Sequence, residues 1–454
     1  MARQVELLEG SIPGTLTRLA APIMGSQLIQ MAYNLVDMLW IGWIGAGAVA
    51  AVGAAGMYVW LANGLVVLAR MGGQVLVAQN LGAGDRPLAG RCAAEAIRLG
   101  STLAVLTTLV TVGLNGPLIR LLGLNGADVI SEGRTYLVIV GLGMVFTFLN
   151  PLLTALITAT GNSRTPFAAM CAGLGINFIL DPALIFGWGP LPAWGVGGAA
   201  AATVLAQAVV FVFLLAYARN DESLFRYVHL RQKPDRQLLG RLCRISAPAT
   251  VQNALFPLIA MVISRLVASW GDDAVAVQKV GSQVESISWM VADGFAMALN
   301  SFIGQNYGAG NTLRARQGYR VAMRLMTLWG LLCTGLLIGL ARPIFSLFIH
   351  ESAVQTMGQS YLVILGFSEL FMCWEILVAG AFAGFGSTLI PSLVSTVLTA
   401  ARIPLALALS STALGLNGVW WSISLSSIGK GILLVIAFAW FQRRIPDRAP
   451  RAGT

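Results

Sequence analysis

Charged side chains are scarce in this chain of 454 residues. Asp, Glu, Lys and Arg account for 11% of the sequence, whereas they account for about 25% of a typical soluble domain. The residues AVILMFWYC reach 57%, and there are 51 glycines. This composition excludes an ordinary soluble enzyme, a disordered chain and a coiled coil. Because the apolar stretches are long and continuous, as at residues 325–340, they favour helices over a β-barrel and predict an all-α polytopic membrane protein.

The sequence also has few of the residues that build metal, redox or hydrolytic sites. Its five cysteines are far apart and form no CxxC pair, and its two histidines, His229 and His350, are isolated. We therefore expect no disulfide framework, no metal site and no cofactor. No GxxxxGK(S/T), HExxH or Ser-His-Asp arrangement occurs, so the parts of an ATP-driven pump or an intramembrane protease are missing and no enzyme is predicted.

Twelve apolar segments are long enough to cross a membrane, because a hydrocarbon core of about 30 Å needs roughly 20 helical residues. They lie near 15–41, 47–79, 93–116, 130–159, 164–186, 196–218, 244–270, 274–304, 321–341, 355–385, 389–412 and 418–441. The first segment is too long for the apolar part of a signal peptide, so we expect it to remain as a helix. The long hydrophilic stretch predicts an N-lobe at 1–218, a cytoplasmic linker at 219–243, a C-lobe at 244–442 and a tail at 443–454.

The two halves of the chain are repeats of each other. RLAAP at 18–22 matches RISAP at 244–248, and QNLGAGD at 79–85 matches QNYGAGN at 305–311, both at an offset of 226. AVAAVG at 48–53 and YLVIVG at 136–141 have similar counterparts at offsets of 226 and 225. Because each half has six segments, an even number, the repeats share one orientation in the membrane, as in parallel-repeat transporters.

The distribution of basic residues predicts that orientation. Of the 29 Lys and Arg residues, 21 fall in one set of loops and only four in the opposite set. The positive-inside rule then places both termini and the linker in the cytoplasm, with the chain in the plasma (inner) membrane. The net charge of +10 follows from the same loops, so we expect the lipid bilayer and no nucleic acid as a partner.

Two acidic residues lie at similar depth in the first half. With a rise of about 1.5 Å per residue, Asp37 in the first segment and Asp181 in the fifth fall in the outer half of the bilayer. Each follows an amide one turn earlier on the same helix face, Asn34 before Asp37 and Asn177 before Asp181. Burial and a like-charged neighbour favour the neutral form of a carboxyl group, so this set suits a proton or a sodium ion. The alternative is that both acids cap the outer ends of their helices.

The repeat comparison favours the functional interpretation of these acids. At the repeat offsets, Asp37 corresponds to Ile263, and Asp181 corresponds to Ala406. A role in the scaffold that both halves share would tend to appear twice, whereas this pattern occurs once. The pattern therefore indicates a function placed in the N-terminal half.

The second half offers weaker candidates. Its acids within segments are Glu285, Asp293, Glu369 and Glu375, and Arg402 occupies the position equivalent to Asn177. Glu285 and Asp293 can pair with Arg265 or Arg402, which leaves a structural ion pair and a substrate contact as open alternatives. Pro22 and Pro248 occupy equivalent positions, and each removes a helical hydrogen bond, so each marks a possible bend or a static kink.

Several motifs together resemble the multidrug and toxic compound extrusion (MATE) family, over nearly the whole chain. They are YNLVDMLWIGWIGAGAVAAVG, VAQNLGAGD, TATGNSRTP, NFILDPALIFGWG, GVGGAAAAT and GQNYGAGN. The resemblance implies two six-helix bundles and export of organic cations or other amphipathic drugs against an inward flow of protons or sodium. We expect small amphipathic substrates and a monomer.

Within that family the chain looks most similar to the DinF-type branch. The resemblance then implies a cation site in the N-lobe at the matching positions Asp37, Tyr136, Asn177, Asp181 and Thr203, and a bend at Pro22. The NorM branch uses a glutamate on its seventh helix, which carries no acid here, so a C-lobe cation site is not implied. Two other classes stay open: a lipid-linked-precursor flippase, which would be expected to have a more basic lining, and a non-transporting membrane scaffold.

Overall fold

The structure is a computed structural model that describes residues 5–122, 126–188, 192–348 and 351–446. All regular structure in these ranges is helical. In the first half the helices are α1 (Ile12–Ile44), α2 (Ala46–Gly82), α3 (Arg86–Gly113), α4 (Asn115–Leu121), α5 (Ala127–Leu142), α6 (Met144–Ala159), α7 (Arg164–Ile185) and α8 (Val196–Arg219). In the second half they are α9 (Arg236–Ala268), α10 (Asp272–Gly308), α11 (Thr312–Gly339), α12 (Ala341–Ser346), α13 (Ser352–Gly384), α14 (Leu389–Ala400), α15 (Arg402–Ser410) and α16 (Leu416–Arg444).

The long helices confirm the predicted all-α polytopic fold with six segments in each half. Ten of the twelve predicted segments are single helices, the segment at 130–159 is the pair α5 and α6, and the segment at 389–412 is the pair α14 and α15. The first pair bends by 46° at Gly143. A Cβ atom at Gly143 would lie 2.6 Å from the Val204 side chain on α8, so only glycine lets these helices approach so closely.

Within the described residues, nine helical stretches are long and apolar enough to cross a membrane when α14 and α15 are taken as one, and the bent pair α5 and α6 makes a tenth. The two long helices outside this set are α1 and α10. Both carry polar residues along their length, including Asp37 in α1 and Glu285 and Asp293 in α10. Polar groups within a membrane span are costly, and they usually mark function.

The QNLGAGD and QNYGAGN repeats form matching turns between long helices. Gly84 and Gly310 both have φ 79°, a left-handed conformation that glycine adopts readily. The next residue caps the following helix: Asp85 Oδ1 accepts a hydrogen bond from Leu88 N at 2.9 Å, and Asn311 Oδ1 accepts one from Arg314 N at 3.1 Å. The motif therefore has a local structural cause, a tight turn with a helix N-cap.

Contacts within the chain define two compact units whose borders differ from the predicted lobes. The first unit contains Gly25–Ser246 and the residues up to Glu6, and the second contains Leu7–Met24 and the residues from Ala247 onward. One border therefore falls inside α1 and the other inside α9. These two helices also make only sparse backbone contacts with the other described helices.

The predicted linker at 219–243 is folded onto the first unit. The Asp221 carboxylate accepts hydrogen bonds from Leu224 N at 2.8 Å and Phe225 N at 3.1 Å, which begins a short 3₁₀ turn at Phe225–Tyr227. Asp235 then caps α9, accepting from Gln237 N at 2.9 Å. Because Leu224, Leu238 and Leu242 are buried in the hydrophobic core with α2, α3 and α6, helix α9 begins eight residues before the predicted position.

Candidate ion-coupling site

The predicted site begins on α7 with a buried amide and carboxylate. Asn177 Nδ2 donates a hydrogen bond of 3.0 Å to Asp181 Oδ1, and both residues are fully buried. The spacing of four residues places them on one face of the helix, as the sequence predicts. The amide orients one carboxylate oxygen and leaves the other oxygen for a further partner.

Helix α1 brings a second carboxylate to the same place. Asp37 and Asp181 are close enough for their charges to repel each other. Asp37 is half-buried, and its Oδ1 atom is shielded from solvent. Two ionised carboxylates in such a place are unfavourable, so the pair favours binding of a cation or a proton.

Two more helices complete the cluster. Tyr136 on α5 and Thr203 on α8 are both buried, and Tyr136 lies within electrostatic range of Asp37 and Asp181. The Thr203 hydroxyl lies near the hydroxyl of Tyr33, a residue of α1. The five residues Asp37, Tyr136, Asn177, Asp181 and Thr203 are thus brought together by four helices.

Tyr33 is a site residue that the sequence analysis missed. It lies within electrostatic range of both Asp37 and Asp181, four residues before Asp37 and therefore on the same helix face. That spacing, read in YNLVD, was the signal that could have identified it. The neighbouring Asn34 is predicted to support Asp37, but its side chain is exposed and accepts a 3.3 Å hydrogen bond from Gln30 Nε2. Tyr33 therefore occupies the place on α1 that was predicted for Asn34.

Unsatisfied oxygens are the most informative feature of the cluster. Five buried oxygen atoms of this cluster have no hydrogen-bond partner within the described part of the chain: Tyr33 OH, Asp37 Oδ1, Asn177 Oδ1, Asp181 Oδ2 and Thr203 Oγ1. Buried polar groups are normally paired, because an unpaired one loses its hydration without compensation. Oxygen ligands suit hard cations, and carboxylates also suit protons. The arrangement therefore fits a transported cation.

The acids of the second unit are arranged differently. Glu375 forms a buried ion pair with Lys430 at 2.9 Å and accepts a hydrogen bond of 2.8 Å from Ser395 Oγ. Arg402 donates to Ser426 Oγ at 2.6 Å and to Ser427 Oγ at 3.0 Å. The charges of Glu375 and Arg402 thus have partners, which favours a structural role for both.

Glu285, Glu369 and Asp293 complete the set of second-half candidates. Glu285 interacts electrostatically with Arg402 and Lys430, so the predicted proximity to Arg402 is observed. Glu369 is fully buried, and within the described ranges neither of its carboxylate oxygens lies at hydrogen-bond distance from a partner. Glu285 is its charged neighbour, and Ser288 also lies nearby. Asp293 is half-buried on α10. Among the described residues, the Glu369 oxygens therefore resemble the unpaired carboxylate oxygens of the first unit.

The residues that the structure describes contain no group of three or more His, Cys, Asp or Glu that could hold a metal ion. The predicted isolation of His350 falls outside the described residues. In the first unit, the possible sodium ligands are two carboxylates, one amide oxygen and hydroxyl groups, and sodium would bind there as a transported ion. Pro22 lies within a continuous α1, and its role as a bend stays a prediction.

The long apolar helices define an integral membrane protein. A family model described as MatE matches residues 22–183 and again residues 248–408. The chain therefore belongs to the MatE family, and it is a membrane transporter. The two successive matches also confirm the internal duplication. The assignment to a DinF-type branch stays a prediction.

Proteins of known name are similar to this chain over nearly their whole length. The "Probable multidrug resistance protein NorM" of Thermotoga maritima is 26% identical, with 95% of this chain and 94% of that protein covered. The "Probable multidrug resistance protein YoeA" of Bacillus subtilis is 28% identical, with 93% of each covered. The "FAD transporter" of Shewanella oneidensis is 27% identical, with 99% of this chain and 98% of that protein covered.

Solved structures support the fold. A crystal structure of MATE in the straight conformation gives a TM-score of 0.89 at 23% identity, and it covers 98% of this chain and 99% of its own. A crystal structure of MATE in the bent conformation gives 0.86 at 24% identity, covering 97% of each chain. At these identities the likeness concerns the fold alone.

Proposed function

We propose that this chain is a secondary antiporter that exports amphipathic, cationic drug-like compounds in exchange for protons, with sodium as the alternative coupling ion. The observation that carries the proposal is the set of unpaired buried oxygens around Asp37 and Asp181. The names of several relatives, which are multidrug resistance proteins, support export of drugs. The family supports a transporter over a non-transporting scaffold.

Coupling follows from the charge of the site. When a proton or sodium ion binds between Asp37 and Asp181, it removes the repulsion between two carboxylates and makes closer packing of α1 and α7 favourable. Because α1 has only sparse backbone contacts, it is the element that can change position at small cost. A ligand that binds one arrangement of α1 better than the other shifts the population, and a substrate that prefers the other arrangement is then released.

Broad substrate recognition belongs to the same proposal. Within the predicted spans, Met261 and Trp289 have exposed side chains, and Met31 and Met290 are half-buried. Methionine adapts to varied apolar shapes because its side chain is flexible and polarisable. Cells that produce the protein should resist several chemically unlike cationic compounds, and resistance to a single compound would contradict the broad specificity.

Efflux from reconstituted vesicles tests the function. The purified chain is placed in liposomes that contain a fluorescent cationic dye, and pH and sodium gradients are imposed separately. We expect dye movement with a pH gradient alone and little with a sodium gradient alone. Dye movement with a sodium gradient alone would identify sodium as the coupling ion. No movement with either gradient would overturn the proposed antiport. FAD in the same assay tests whether the substrate resembles that of the FAD transporter.

The proposed location is the plasma (inner) membrane, with both termini and the 219–243 segment in the cytoplasm. Ser223 lies in that segment and is half-buried beside Asp221. A Ser223→Cys variant of a cysteine-free chain should react with a membrane-impermeant thiol reagent in broken cells only. Labelling in intact cells would reverse the orientation.

A further inference from the structure

Two arginines bind the segments that precede α1 and α9. In the first unit, the Arg98 guanidinium on α3 donates to the carbonyls of Leu230 at 3.0 Å and His229 at 3.3 Å, and also to that of Gln232. These carbonyls belong to residues 228–235, the lead segment of α9. All three contacts come from one guanidinium nitrogen, Nη2, while Nη1 pairs with the Glu95 carboxylate on the same helix. Glu95 in turn accepts a hydrogen bond from Asp235 N at 2.9 Å, which also belongs to the lead segment.

The second unit contains a similar arrangement. The Arg314 guanidinium on α11 donates to Glu9 O at 2.6 Å, Gly10 O at 2.9 Å and Leu7 O at 3.4 Å. Asn306 Nδ2 adds a 3.0 Å hydrogen bond to Leu7 O. These residues belong to 7–11, the lead segment of α1, and the Leu7 side chain is only 2% exposed. The segment is therefore fixed by its backbone and by one buried side chain.

The two arrangements are similar in a way that the internal repeat alone does not explain. Each lead segment precedes the first helix of one repeat, and each is bound by the third helix of the other repeat. The repeat offset of 226 pairs Arg314 with Leu88 and not with Arg98. Different positions thus perform the same task, and we call each arginine with its bound lead segment a clasp.

The beginnings of α1 and α9 follow their lead segments into the same units. In the second unit, Gly294 lies so close to α1 that a Cβ atom there would be 3.0 Å from Met24 N. In the first unit, Gly72 N donates to Ser246 Oγ of α9 at 2.8 Å, and a Cβ atom at Gly72 would lie 2.6 Å from Leu242 O. The helices change units at the borders between Met24 and Gly25 and between Ser246 and Ala247. Directly after the first border, a Cβ atom at Gly25 would lie 2.7 Å from the Phe167 ring of the first unit.

We propose that Arg98 and Arg314 are positioning residues whose clasps stay closed throughout the transport cycle, so that the beginning of each first helix moves with the opposite repeat. The moving bodies are then the two contact units, and α1 and α9 flex at the borders after Met24 and after Ser246. This proposal rests on the proposed antiport, because it describes how the units move during transport. Pro22 and Pro248 lie beside these borders and weaken the helical hydrogen bonding there.

Cross-linking each clasp in its closed state tests the proposal directly. Glu9 with Gln317 and Leu230 with Thr102 are exposed pairs at the two clasps, and each pair is changed to cysteine in a cysteine-free chain and joined by a flexible bifunctional thiol reagent. We expect dye efflux of the cross-linked proteins to stay within twofold of the same variants before cross-linking. Loss of efflux that returns when a cleavable cross-link is cut would show that the clasp must open, and it would overturn the proposal.

Mutations that open a clasp test whether the arginine holds the lead segment in place. In Arg314→Ala, amide hydrogen exchange measured by mass spectrometry should rise at least tenfold in residues 7–24, with little change in residues 26–44. Arg314→Lys keeps the charge but not the three-carbonyl geometry, so it should behave like Arg314→Ala. Arg98→Ala should do the same for residues 228–246.

Arg316→Ala is the matched control, because Arg316 is on the same helix and binds the carbonyls of Gln442 and Ile445 instead, both at 2.8 Å. It should leave exchange in residues 7–24 unchanged. Equal exchange in the Arg314 and Arg316 variants would overturn the clasp. The exchange readout needs no transport, so a failure of the proposed antiport and a failure of the clasps remain distinguishable.

Discussion

Buried acids occur in both units, but the partners of their carboxylate groups differ. In the first unit, Asp37 and Asp181 come together, and each keeps an oxygen that no described group binds. In the second unit, Glu375 is paired with Lys430 at 2.9 Å. A buried acid whose charge is compensated contributes to a fixed structure, whereas one that lacks a partner is ready to bind a cation.

The difference has its origin at equivalent positions of the repeat. Asn177 on α7 bonds to Asp181 four residues further along its own helix. Its counterpart Arg402 lies at the start of α15 and bonds across to Ser426 and Ser427 on α16. Equivalent positions therefore hold an amide–carboxylate pair in one half and a link between helices in the other, where position 402 is an arginine and position 406 an alanine.

Removal of both acids of the first unit should have the largest effect on transport. In Asp37→Asn/Asp181→Asn, gradient-driven dye efflux should fall to the level of empty liposomes, because neither side chain can carry an ionic charge for the coupling ion. Asp128→Asn, at an exposed acid in the first turn of α5, is the control and should behave as the wild type. Wild-type efflux by the double variant would show that the coupling ion does not bind at these two acids of the first unit.

Breaking the ion pair of the second unit should instead affect stability most. Loss of one partner from a buried pair costs about 3–5 kcal/mol, so Lys430→Met should lower the thermal unfolding temperature in detergent markedly. Lys430→Met/Glu375→Gln removes both charges and should recover much of the loss. If the single variant melts like the wild type but loses efflux, then the pair belongs to the transport machinery and the contrast between the two units fails.

The sequence was sufficient to predict the helices, because runs of apolar residues and the repeated turns determine them locally. The sequence was also sufficient to predict that Asn177 lies beside Asp181, because residues four apart on one helix share a face. The sequence could not decide whether Tyr33 or Asn34 belongs to the site. Both lie within one turn of Asp37, and only the direction in which α1 faces the other helices decides between them. The unit borders inside α1 and α9 also depend on contacts between distant residues, which local patterns do not contain.

Loss of the Tyr33 hydroxyl should give an intermediate effect. Tyr33→Phe keeps the ring but removes one of the five unpaired oxygens, and one polar contact is worth about 0.5–1.5 kcal/mol, or roughly a two- to tenfold change in ion affinity. The concentration of coupling ion needed for half-maximal efflux should rise accordingly, with the maximal rate less affected. Asn34→Ala, one residue further along α1, is the control and should be within twofold of the wild type. If the Asn34 variant is the more impaired of the two, the assignment of Tyr33 to the site is wrong.

Glu369 gives the smallest expected effect and the sharpest test of the contrast between the units. Its carboxylate oxygens have no partner at hydrogen-bond distance among the described residues, and Glu285 adds a like charge nearby. Both features favour a neutral carboxyl group that holds its proton throughout the cycle. Glu369→Gln has nearly the same shape and is also neutral, so efflux and unfolding temperature should stay close to wild type. Glu369→Ala removes the shape as well and should lower the unfolding temperature, because it leaves a cavity. If Glu369→Gln abolishes efflux while the protein stays folded, the proton on Glu369 must exchange during transport, and the second unit then holds an ion site of its own.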